Sequence, residues 1–63
     1  MRWYVFDRFD CLTSCETAAA AAVEADYFSR TGDFTGMHIV QMSQAQFNHY
    51  VTHNDLAQAL AVK

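Results

Sequence analysis

Proline is missing from this chain and glycine occurs only twice, so it holds little of what builds long irregular loops or disordered linkers. Basic charge is scarce too: Arg2, Arg8, Arg30 and Lys63 are the whole supply, and they are scattered. A nucleic-acid surface needs several Lys or Arg on one face to displace phosphate counterions, so nucleic acid is not an expected partner. Seven carboxylates against those four bases give a net charge of −3, an ordinary solvated surface. Thr17–Val23 is short and rich in alanine. A helix needs about 20 apolar residues to cross a bilayer, so no membrane partner is expected. Cysteine is limited to Cys11 and Cys15, and no charged-then-apolar leader precedes the first strand pattern. The expectation is a reducing, cytoplasmic setting.

What the chain does have is apolar mass. Half of its residues are hydrophobic (52%), and the aromatics are Trp3, Tyr4, Phe6, Phe9, Tyr27, Phe28, Phe34, Phe47 and Tyr50. A chain of 63 residues makes one domain, 1–63. Domains of this size bury only about 60% of the surface their unfolded chain exposes, so burial has to be efficient.

Trp3–Phe6 is aromatic and β-branched on both faces, which suits a strand covered on two sides. Asp7–Asp10 reads as a tight turn, and Cys11–Thr13 as a short strand pairing back. Thr13-Ser14-Cys15-Glu16 matches a capping box, with Gly32 as its C-terminal counterpart, so the spacing predicts a helix over 13–32. At 100° per residue Ala18, Ala21, Ala22, Ala25 and Phe28 form its apolar side. Val23 and Tyr27 fall among the charged residues on the opposite side. They read first as an exposed valine and a snorkelling tyrosine, and second as a separate contact surface.

Met37–Ser43 reads as a strand with His38, Val40 and Met42 on one face. Ser43-Gln44-Ala45-Gln46 is a second capping box, starting a helix that runs to about Val51. Asn54 or Thr52 is placed to cap a last helix, Asp55–Val62, with Leu56, Ala59 and Leu60 inward. The expected fold is α+β, a small β(β)αβα domain. Its two- or three-stranded sheet is packed by the alanine-rich helix and followed by a C-terminal helical segment of one or two short helices. The helix joining the two main strands predicts that they run parallel if adjacent, with a right-handed passage.

Chemistry-bearing patterns are sparse. Cys11-x3-Cys15 and His49-x3-His53 have local spacings that zinc sites use, and are the minority candidate for a metal site. The 33 residues between the pairs exceed the spacer of a zinc finger, and unliganded cysteines usually behave as small buried hydrophobes. Tyr4-Val5-Phe6-Asp7 resembles the nucleophile strand of haloacid-dehalogenase-like phosphatases, but the second aspartate of that motif is replaced by Phe9. No glycine-flanked nucleophile and no phosphate loop is present. The 44–62 segment has the outline of a helix-turn-helix, yet Asp55–Val62 carries no basic residue to read a groove. No catalytic residue and no cofactor is expected.

Aromatic strand, aspartate turn, Thr-x-x-Glu-capped alanine helix, Thr-Gly stop and second strand, over residues 3–43, resemble very small proteins of bacteriophages and mobile elements. Many of those bind one host protein and block it. The resemblance rests on architecture and brevity, and it implies a protein-binding activity rather than catalysis. The expected function is a non-enzymatic binding module, with Trp3, Phe9, Phe34 and an open strand edge as its contact surface. The partner is a host protein or a second copy forming a homodimer. A zinc-stabilised domain is the other reading.

Overall fold

The computed structural model describes residues 1–8, 10–32 and 36–63. Elements follow in the order β1 (Arg2–Phe6), β2 (Cys11–Cys15), α1 (Ala18–Thr31), β3 (His38–Met42), α2 (Gln44–His53) and α3 (Leu56–Leu60). The sheet has the order β2-β1-β3, and β1 pairs antiparallel with both neighbours. The fold is a small α+β domain, as the residue pattern predicts.

Several expectations are corrected. Thr13 does not cap a helix: it lies in β2 opposite Val5, and Ser14 lies opposite Tyr4. The sheet takes these residues because β-branched Thr13 suits an extended backbone and pairing fills a whole ladder, whereas a cap satisfies only one or two amides. Helix α1 therefore starts one turn later, where the Thr17 hydroxyl accepts from the Ala20 N–H at 3.1 Å. Glu16, freed from a capping role, stands 3.9 Å from Arg2 in an exposed ion pair. Gly32 is extended (φ −146°, ψ 175°) rather than left-handed. Near this end the Ser29 hydroxyl donates to Asp26 O and the Thr31 hydroxyl to Tyr27 O, both at 2.8 Å.

The third correction concerns strand direction. Because β2 is a full strand, α1 leaves from β2 and not from β1. Strands β2 and β3, joined by the helix, run the same way with β1 between them, so the β1–β3 pair is antiparallel. The β1–β2 reversal is closed at Asp7 and Asp10. The Asp10 N–H donates to Asp7 Oδ1 at 2.6 Å and the Asp7 N–H to Asp10 O at 2.9 Å.

Alternation along β1 divides the core in two. Tyr4 and Phe6 share a face with Met42, and Cys11, Val40, Phe47, Tyr50 and Leu56 pack against them. Tyr4 stacks on Phe47 (centroids 4.5 Å), and Tyr50 meets Phe6 edge-on (5.1 Å). Val5 points to the other face and is fully buried, as is Ala21 of α1, the helix that touches all three strands. A strand covered on both faces is thus what the pattern of Trp3–Phe6 specifies. On α1, Ala21 is buried and Ala25 and Phe28 are half-buried, but Ala18 and Ala22 are exposed while Glu24 is half-buried. The helix therefore rests on a narrower stripe than its alanine content predicts.

The second capping box forms as expected. The Ser43 hydroxyl accepts from the Gln46 N–H at 3.1 Å, and Gln46 Oε1 accepts from the Ser43 N–H at 2.9 Å. Helix α2 ends on Asn54, left-handed at φ 52°. The N-cap of α3 is Asp55, not Asn54 or Thr52, and Leu60 is exposed while Ala59 is buried. The buried side centres between Leu56 and Ala59, and Leu60 falls about 70° round the helix from that centre, at its rim.

Candidate interaction surface

Two of the three aromatic anchors expected from the sequence, Phe9 and Phe34, lie outside the described residues. Trp3 is half-buried. It sits opposite Cys15 and Gln41 on the sheet face that carries Val5, the face under α1.

The four candidate metal ligands are not brought together. The β1–β2 register shifts between Val5 and Phe6, placing Thr13 opposite Val5 but Cys11 opposite Phe6. This bulge at Leu12 reverses the side-chain alternation. Cys11 accordingly shares the Tyr4–Phe6 face, and Cys15 shares the face of Trp3. Both cysteines are free. Among the described residues no three His, Cys, Asp or Glu side chains converge. His49 and His53 do meet along α2, their rings 4.4 Å apart, and His49 Nε2 is buried with no hydrogen-bond partner.

Cys11 and Tyr50 form a second polar pair inside the apolar layer. Burial pushes the Cys11 thiol above its ordinary value of 9.0, against a weaker opposing contact with the Thr13 backbone. Tyr50 is likewise raised above 10.0, first by burial and then by the charges of Cys11, Asp10 and Asp7. A thiol held protonated is a poor nucleophile. Both groups favour their neutral forms in the folded state, so their contribution is complete below the ordinary values and disappears as pH rises through the raised ones. The urea midpoint should therefore hold up to about pH 9 and fall beyond it. Tyr50→Phe and Cys11→Ala should each flatten that fall, and an unchanged slope in both would mean that burial at this pair does not govern it.

The sheet's two edges differ. Strand β2 carries the Leu12 bulge, which twists an edge away from incoming strands. Strand β3 is regular from Arg2↔Met42 to Phe6↔His38. Its sequence, His38-Ile39-Val40-Gln41-Met42, holds no Lys, Arg, Asp, Glu or proline, the residues that normally protect an edge. His38, Ile39 and Gln41 are exposed along it, Ile39 by 37%. Comparison with protein families, curated proteins and solved structures returned no match. The surface has to be understood from its own chemistry.

A second exposed surface runs along the outside of α1. Val23 and Tyr27 are 68% and 58% exposed there, one turn apart, with Ala19 and Ala20 before them. The ring of Tyr27 rests edge-on against the half-buried Phe28 (5.8 Å), and Arg30 pairs with Asp26 at 2.7 Å. No helix among the described residues is long and apolar enough to cross a membrane.

Proposed function

We propose that this chain is a non-enzymatic protein-binding module that offers the β3 edge to an extended segment of another protein. The observation that carries this reading is the contrast between the two edges: one bulged, the other regular, uncharged and open. Main-chain hydrogen bonds would supply affinity in such an addition, and the alternating side chains of β3 would supply selection. The resemblance to small phage proteins supports a host protein as the target, blocked by occupation of the segment it contributes. Two unpaired thiols suit a cytoplasmic site of action.

Gln41→Lys puts a solvated charge on the edge at a side chain that is already exposed. Capture of a partner by the variant should weaken about tenfold or more, with circular dichroism and the thermal midpoint unchanged. Undiminished capture would remove β3 from the interface.

A further inference from the structure

We infer that His49 and His53 on α2 form a two-imidazole site for a divalent nickel or copper ion. The site goes beyond the proposed β3 function and uses a different part of the chain. Side chains four residues apart on a helix lie on one face, a turn from each other. Helix α2 is firmly held along this stretch. Its capping box starts it, Phe47 and Tyr50 pack on the Tyr4–Phe6 layer, and the Asn54 N–H closes its end on Tyr50 O at 2.7 Å. The two rings therefore meet before any ion arrives, their centroids 4.4 Å apart.

Two observations point to a ligand rather than to ring contact alone. The first is that His49 Nε2 is buried and meets no hydrogen-bond partner. Nearly all buried polar atoms in folded proteins are paired, because a bare one costs its full desolvation. An imidazole nitrogen of this kind is a donor suited to copper, nickel or zinc. His49 is half-buried but His53 is exposed, so the outer ring can turn to admit an ion. The second observation is the spacing. Two imidazoles bound to one ion at about 2.0–2.1 Å have ring centres about 4.5 Å apart at a right angle and about 5.2 Å apart in a tetrahedron. The observed 4.4 Å fits the right angle. Right-angled neighbours belong to the square-planar and tetragonal sites of copper and nickel, whereas structural zinc is tetrahedral.

No third His, Cys, Asp or Glu joins the pair among the described residues, so water completes the coordination. Only a helical α2 keeps the two rings within reach of one ion. Binding therefore favours the folded chain, and the thermal midpoint reports it. The probe is Ni²⁺ alone, added to the chain without a polyhistidine tag. Nickel leaves the two free thiols unoxidised, which copper would not. Calorimetric titration should give one ion per chain. With free nickel about a hundredfold above the dissociation constant, the midpoint should rise by about 5 °C or more.

His53→Ala removes one arm of the chelate at an exposed position and should weaken nickel binding about tenfold or more, with circular dichroism unchanged. His49→Ala should weaken it as much. Cys15→Ser should bind as the wild type does, which separates the imidazole pair from thiol ligation. The affinity that depends on His53 should also be greater for nickel than for zinc. A wild-type chain that takes up no nickel at millimolar concentration would overturn the inference. So would a His53→Ala chain that binds as tightly as the wild type, a Cys15→Ser chain that loses the ion, or a His53-dependent preference for zinc. Partner capture through β3 could still hold in each of those cases.

Discussion

Phe6→Ala should abolish most of the stability of this domain. Phe6 is 3% exposed, holds Tyr50 edge-on at 5.1 Å and stacks on His38 at 5.6 Å. Truncating a buried phenylalanine costs about 3–5 kcal/mol, through lost transfer energy and the cavity left behind. Total stability at typical per-residue values comes to about 3–9 kcal/mol for 63 residues. The loss is thus comparable with the whole. A small domain shifts by about 4–8 °C per kcal/mol, so thermal unfolding should move down by at least about 12 °C or lose its cooperativity. Tyr27→Ala, on the exposed side of α1, should stay within about 0.5 kcal/mol of the wild type. A Phe6 variant that melts within a few degrees of the wild type would show that the layer between β1 and α2 is not the main core.

The parts of the fold that were legible in the sequence are those where local and tertiary preferences coincide. Ser43 and Gln46 form the cap their spacing predicts, because the strand before them ends where the cap needs an extended residue. Trp3–Phe6 reads as doubly covered and is so. Thr13-Ser14-Cys15-Glu16 fits the same cap pattern and misleads, because its residues are equally good strand formers and β1 lies beside them. A four-residue motif contains no information about a partner strand ten residues away. The strand direction followed from the same point. A helix leaving β1 would demand parallel pairing, whereas a helix leaving β2 does not.

The interaction surfaces were legible only in outline. Val23 and Tyr27 stand out on a helical wheel, and the side opposite them, with Ala21, Ala25 and Phe28, is the one turned inward. The open edge was expected, but the difference between the edges depends on the bulge at Leu12. That bulge also separates Cys11 from Cys15. On a regular strand two residues four apart share a face, and one extra residue in the ladder puts them on opposite ones. Spacing alone could not disclose this, since nothing in Cys-Leu-Thr-Ser-Cys signals a bulge.

Gln46 has a role that its place in a capping box does not reveal. Its Oε1 accepts from the Ser43 N–H, while its Nε2 donates to Leu60 O at 3.3 Å and Val62 O at 3.0 Å. One amide thus starts α2 and ties down the chain after α3. The two jobs separate by substitution. Gln46→Ala loses all three bonds and should cost about 2–3 kcal/mol, at about 1 kcal/mol net for each. Gln46→Glu keeps the acceptor for Ser43 and gains about 0.3–1 kcal/mol from a negative charge in the first turn of a helix. It loses both donors, however, and turns a carboxylate towards two carbonyl oxygens. Amide exchange should therefore remain slow in the first turn of α2 in the glutamate variant but quicken at Ala61 and Val62, whose N–H groups bond back into α3. In the alanine variant both regions should exchange faster. A glutamate variant with the stability and exchange pattern of the wild type would mean that the bridge to α3 contributes nothing, and that the buried side of Ala59 alone holds the last helix in place.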